Sequence, residues 1–188
     1  MFIALENKQH CDVYFDLEET RMVGIPLKER LYESNLPIGR LLPLEDTYIM
    51  YFGITRLQNF LKYHTFDLDE LTLSSIQLKL VPELRSLFKS YDGLDEEGDF
   101  KRHFFVFHKN KMFSIDRFGT AIRHHDYFVS GYPKVLLEQT LKETPDKSPD
   151  ERALLTFRRV DAFYPKITHP IIKISGASFS FHILSNLN

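Results

Sequence analysis

Apolar and polar positions alternate in short bursts along the first third of this chain, and the period lengthens after Gly53. Phe2 to Leu5 and Cys11 to Phe15 are short apolar runs separated by the polar turn Glu6 to Gln9, and they predict a pair of strands. Leu17 to Leu36 has no clean period and is broken by Pro26 and Pro37, with a helical turn expected around Leu27 to Tyr32. Gly39 to Leu44 predicts a further short strand. Thr47 to Phe52 reads as a strand covered on both faces, because Tyr48, Ile49, Met50 and Tyr51 are continuously apolar.

Ile54, Leu57, Phe60 and Leu61 then fall on one stripe of a helix. A second helical region is expected over Leu73 to Tyr91, with Ile76, Leu80, Leu84, Leu87 and Tyr91 on one side. Pro82 inside it either starts the helix or bends it. An acidic loop, Asp95 to Asp99, follows. His103 to Phe107 and Lys111 to Ile115 predict a hairpin joined by His108-Lys109-Asn110. Ile122 to Val129 reads as one strand closed by Ser130-Gly131. Pro133 opens a helix with Val135, Leu136, Leu137 and Leu141 on its buried side. The clearest start signal is Ser148 as N-cap, Pro149 in the first helical position and Glu151 three residues after the cap. That helix runs to about Phe163, Ile171 to Ile174 is a strand, and the tail Ala177 to Asn188 is a further strand or a docked arm.

Strand pairs, two helices, a hairpin plus strand, two helices and a terminal strand do not make the alternating units of a doubly wound fold. The expected fold class is α+β, a four-layer αββα sandwich in which two sheets pack face to face and each carries a helix pair outside. The expected organisation is a single domain over residues 1–176 followed by a tail over 177–188. A chain of 188 residues is long enough for one core.

Composition narrows function more by exclusion than by assignment. With 43% hydrophobic and 27% charged residues the chain is neither disordered nor membrane-like, and a formal net charge of -2 gives no field that favours nucleic acid. No apolar run approaches the roughly 20 residues that cross a bilayer. MFIALENKQH lacks the basic and apolar regions of a signal peptide. A single cysteine, Cys11, excludes an internal disulfide framework and fits a reducing compartment, so a cytoplasmic protein is expected. The eight histidines invite a metal reading, but His124 and His125 are adjacent and point to opposite faces of a strand, and no HExxH or CxxC accompanies them. No GxxxxGK[ST] or GxGxxG run is present. Neither metal nor cofactor is expected.

Four passages, by their order and spacing, resemble one known family. DTYIMYFGITRLQNFLKY, preceded by Gly39 to Leu44, resembles the catalytic-lysine strand, the next strand and the first helix of proteasome β-subunits. These belong with the bacterial ATP-dependent protease subunit to the N-terminal-nucleophile (Ntn) hydrolases. RHFFVFHKNKMFSIDRFG resembles that family's central hairpin. DYFVSGYPKVLLEQTL resembles its cleft-lining Gly-Ser-Gly strand end and following helix, with Val129-Ser130-Gly131 in place of the motif. DERALLTFRRVDAF resembles its penultimate helix. The resemblance spans Met1 to Ile174.

In such enzymes an N-terminal threonine, serine or cysteine attacks a carbonyl while its own α-amine acts as base. The resemblance puts Met1 at the nucleophile position, and a thioether has no proton to give up. Asp16 aligns with the family's orienting aspartate and Arg21 with an arginine that follows it. Arg40 stands in the lysine position, keeping the charge without the exchangeable ammonium. Ser130 aligns with a serine near the cleft. Cys11 is an alternative nucleophile only if residues 1–10 are removed, which would delete the first strand. These residues imply a proteasome-subunit-like protein without peptidase activity, a structural or interaction module that forms a homo-oligomer and meets protein or peptide partners. The alternative is an Ntn hydrolase of peptide or amide bonds with an atypical or processed start.

Overall fold

The computed structural model describes residues 1–16, 38–40, 47–51, 60–61, 64–131, 133–163, 171–176 and 181–184. The expected helical turn at 27–32, the positions of Arg21, Ile54 and Leu57, and most of the tail lie outside the described residues. The chain divides into two compact units, Met1–Arg30 with His125–Asn188, and Leu31–His124.

The first unit is built on an antiparallel sheet of β1 (Phe2–Glu6), β2 (Cys11–Phe15), β8 (Tyr127–Ser130), β9 (Ile171–Ile174) and β10 (Phe181–Leu184), in the order β10-β9-β2-β1-β8. Strand β1 is buried without alternation, from Phe2 through Leu5, as its continuous apolar run requires. Ile3 and Tyr14 are cross-strand partners, and both belong to the cluster with Val129, Leu137, Leu141, Ala153, Phe157, Val160 and Ile171. That cluster glues one face of the sheet to helices α2 (Lys134–Glu143) and α3 (Pro149–Phe163). Truncating Phe157, 0% exposed, to alanine costs about 3–5 kcal/mol. Helix α3 begins as its sequence dictates. The Ser148 N–H donates to Glu151 Oε2 at 3.0 Å, and the Glu151 N–H donates to Ser148 Oγ at 3.4 Å. Val135, expected on the buried side of α2, is 78% exposed instead. It is the second residue of the helix, and the face that meets the cluster is carried by Leu137 and Leu141, one turn apart.

The second unit carries β3 (Ile38–Arg40), β4 (Thr47–Tyr51), β5 (Phe104–His108), β6 (Lys111–Ile115) and β7 (Ala121–His124), paired antiparallel in chain order. The β5–β6 hairpin closes with His108 opposite Lys111, and Lys109 takes φ 52° in the two-residue connection. Helix α1 comprises an α-turn Leu73–Ser75, a π-helical Ile76–Leu80 and an α-helix Val81–Ser90. Pro82 does stand at a start, that of the α-helical segment, of which it is the second residue. Pro82 has no amide hydrogen for an i→i−4 bond, and just before it the ladder widens, with Val81 N–H bonding Ile76 O. Leu80, Leu84 and Phe88 pack from α1 onto Ile49, Tyr51, Phe104, Val106 and Phe113 of the sheet. Leu61 joins the same cluster, and the His64 N–H reaches Phe60 O at 2.9 Å.

The single strand expected over Ile122 to Val129 is two strands in two different sheets. The break falls at His125-Asp126, where Asp126 adopts φ 65°. An aspartate tolerates that left-handed backbone better than a branched residue would. Arg152, 4% exposed, then fixes it: its two terminal nitrogens hold the two Asp126 oxygens at 2.6 and 2.9 Å.

Candidate functional site

Three strand ends of the first sheet converge. Phe2, at the start of β1, pairs with Phe15 near the end of β2 and with Ser130 at the end of β8. Register alone therefore brings Met1 beside Asp16 and next to Ser130-Gly131. The Met1 α-ammonium donates to Asp16 Oδ1 at 2.6 Å, and the Asp16 N–H donates back to Met1 O at 3.2 Å. Asp16 is only 4% exposed, so this is a carboxylate held out of water against a fixed cation. Gly131 adopts φ +112°, and a Cβ there would stand 3.3 Å from Met1 Cα. Only glycine suits both the backbone conformation and that approach.

Parity decides where the side chains go. Ile3 and Leu5 lie on the helix-facing side, and the Met1 side chain packs against the same apolar cluster. Ser130 is opposite Phe2, not Ile3, so its side chain belongs to the other face of the sheet. Phe2 and Phe128, edge to face at a centroid distance of 6.0 Å, share that second face. Of the residues singled out from sequence, Met1 and Asp16 are in contact and Ser130 is a strand neighbour facing away from Met1. Arg40 is in the other unit, on β3 opposite Tyr48, and its side chain is outside the described structure.

Cys11 lies at the far end of β2, opposite Glu6 and about 16 Å along the strand from Asp16. It is fully buried, and burial, helped by the charges of Glu6 and Asp12, pushes its thiol far above the ordinary range. Gly176 closes over it; a Cβ on Gly176 would fall 1.9 Å from Cys11 O.

A second group of polar residues on the same face of the sheet was not singled out from sequence. Asp12, Tyr14 and Asp16 alternate along β2 and therefore share a face. Tyr14 Oη and Lys173 Nζ both donate to Asp150 Oδ1, each at 2.6 Å. Lys173 also lies 3.3 Å from Asp12 Oδ2, and Asp12 Oδ1 accepts the Gly176 N–H at 3.2 Å. Burial lowers the Lys173 pKa, but the hydrogen bond to Asp150 and the charges of Asp12 and Asp150 outweigh it and hold the ammonium above its usual range. Burial likewise pushes Asp150 up, and its bonds to Lys173 and Tyr14 more than reverse that. The signal available in the sequence was Asp12, a carboxylate between apolar strand residues that must find a partner when buried. No three histidine, cysteine or carboxylate residues among those described are placed to hold a metal. No described helix is long and apolar enough to cross a membrane.

No protein-family model matches this chain. No curated protein matches it either. Solved structures do. The chain superposes on Thiobacillus denitrificans BPH in complex with epoxomicin with a TM-score of 0.61 at 15% identity, over 99% of this chain and 100% of that one. Anbu (ancestral beta-subunit) from Yersinia bercovieri gives 0.58 at 11% identity, over 97% and 86%. The eukaryotic HslV from Trypanosoma brucei gives 0.51 at 13% identity, over 92% and 96%. At these identities the likeness is one of fold: the chain has the fold of the proteasome-type, Ntn-hydrolase-like structures.

Proposed function

We propose that this chain is a divergent proteasome-like protein that has exchanged peptidase chemistry for a structural or interaction role within a homo-oligomer. The observation that carries this reading is the use made of Met1. Its α-ammonium is bound to Asp16 at 2.6 Å and its side chain packs in an apolar cluster. An Ntn reaction needs a nucleophilic side chain on the residue that bears the amine, since proximity is what makes so weak a base effective. Met1 supplies an amine and no nucleophile. Arg40, in the position where the resemblance expects lysine, brings charge without a proton it can share. The stacking of both sheets into a four-layer αββα sandwich belongs to the same proposal and rests on the shared fold. So does the cytoplasmic setting.

Intact-mass spectrometry and a covalent trap test the reading together. The expected result is a full-length mass that retains Met1, with no adduct after incubation with epoxomicin, the ligand of the BPH complex. An adduct on the first residue, abolished when that residue is replaced by alanine, defeats the proposal. A species that starts at Cys11 defeats it equally.

A further inference from the structure

We infer that Gln77 guards the edge of β7: its side chain takes the place of a neighbouring strand and keeps this edge from pairing with the same edge of a second copy of the chain. Strand β7 is the last in the order β3-β4-β5-β6-β7, so one side of its backbone faces no further strand among the described residues. The Ala121 N–H donates to Gln77 Oε1 at 3.0 Å, and Gln77 Nε2 donates to Gly119 O at 2.9 Å. One residue of a parallel strand lying beside Thr120 would make these same two bonds, accepting from the residue after it and donating to the residue before it. A side chain of α1 thus stands in for one residue of a strand.

The edge behind the guard is suited to pairing. Thr120 O faces β6 and accepts the Asp116 N–H at 3.0 Å, whereas the Ala121 N–H is turned outward to Gln77. By alternation Arg123, two residues on, also turns its N–H and C=O outward. Ile122 is 45% exposed, and Leu78 and Phe118, chain neighbours of Gln77 and Gly119, are 73% and 61% exposed. An exposed apolar edge is a template for another strand. A second β7 fits it when antiparallel and related by a two-fold axis at Ile122. Arg123 and Ala121 of opposite copies then exchange backbone bonds on either side of the axis, and the two Ile122 side chains form the close pair between them. Arg123 faces alanine in this register and not another arginine, so no like charges are opposed. The backbone of the second copy opposite Thr120 falls where the Gln77 carboxamide lies. Pairing therefore breaks two guard bonds in each copy to form four across the axis, which leaves little to offset the freedom lost on association. With Gln77 in place the edge stays closed, and assembly of the kind proposed above uses another surface.

Gln77 is exposed and alanine is a strong helix former, so Gln77→Ala removes the guard and spares the helix. Light scattering at matched micromolar concentration should give this variant a particle at least twice the mass of the parent's. Arg123→Pro deletes one outward N–H and leaves the β6 ladder intact, and it should restore the parent mass in the Gln77→Ala background. Ile122→Lys, which opposes like charges across the axis, should do the same. Ile122→Cys reports the register, because the close antiparallel pair brings its Cα atoms within bridging range. With diamide as oxidant, a disulfide-linked dimer is expected to form several-fold faster in the Gln77→Ala background than in the parent background. A Gln77→Ala particle of the parent's mass overturns the inference. So do equal cross-linking rates in the two backgrounds, and association that survives both blocking changes, because general unfolding and not β7 pairing is then responsible. A monomeric parent removes self-assembly from the proposed function and leaves these comparisons standing, since each is made against the parent.

Discussion

Met1 and Asp16 are joined twice, by the α-ammonium on Oδ1 at 2.6 Å and by the Asp16 N–H on Met1 O at 3.2 Å. The second bond continues the β1–β2 ladder one step beyond Phe2 and Phe15, so the ion pair is the last rung of the sheet. Asp16→Ala removes the carboxylate and leaves a cation in a site almost closed to water. Breaking a buried pair in this way costs about 3–5 kcal/mol. The urea midpoint of the variant should drop accordingly, and a midpoint equal to that of the parent would show that the pair adds nothing to the fold.

The register that creates this pair was legible in the sequence, and its chemistry only in part. Two short apolar runs joined by a polar turn predict β1 and β2, and a hairpin necessarily brings its outer ends, Met1 and Asp16, together. The Ser148-Pro149-Glu151 start of α3 was equally plain, since capping is local chemistry. Ile122 to Val129 misled because no glycine or proline separates the two strands, and the break between them is one aspartate in a left-handed conformation, fixed by Arg152 from 26 residues further along. The Tyr14–Asp150–Lys173 network was invisible for the same reason: its members are 136 and 23 residues apart, and only the fold joins them.

Cys11 should be inert in the native protein. Its thiol is fully buried and held protonated by burial, so the thiolate that reacts with electrophiles is scarce at neutral pH. Iodoacetamide at pH 7.5 is expected to label it only after denaturation. Stoichiometric labelling of folded protein within minutes would contradict this and revive a thiol nucleophile.

Gly176→Ala is expected to be among the most damaging single changes in the first unit. The new Cβ would lie 1.9 Å from Cys11 O, and the obstacle is backbone rather than a side chain that can move aside. Relief requires a shift of β2 against the segment that follows β9, which also strains the Gly176 N–H bond to Asp12. A loss of more than about 3 kcal/mol, or failure to accumulate as soluble protein, is expected. A variant that melts with the parent would mean that the chain passes Cys11 differently.

If the proposed module assembles with itself, multi-angle light scattering at micromolar concentration should return at least a dimer. A chain of 22.2 kDa that elutes as a monomer across that range would remove assembly from the proposal and leave the isolated fold.

The Asp150 network gives stability a defined pH dependence. Asp150 carries a pKa held below the ordinary aspartate value by Lys173 and Tyr14, against the opposing pull of burial. A depressed carboxylate contributes stability that is fully present above its unfolded pKa, near 3.9, and is lost as the pH falls through the lower, folded value. Lys173 is raised, so its share is present below about pH 10.4 and is lost only as the pH climbs through its folded value. The network is therefore complete across the neutral range, and it is lost on the acid side through Asp150 and on the alkaline side through Lys173. Asp150→Asn removes the titrating group while keeping an oxygen for Tyr14 and Lys173. The variant should be less stable than the parent at pH 7 and should close most of that gap by pH 3. The Asp150 side chain is 45% exposed, so solvent screening limits the neutral-pH difference to about 1 kcal/mol. Urea midpoints of both proteins at pH 7, 5 and 3 decide the matter. Parallel curves, with the gap unchanged at pH 3, would show that the Asp150 carboxylate does not titrate with folding and that its bonds to Tyr14 and Lys173 do not hold in solution.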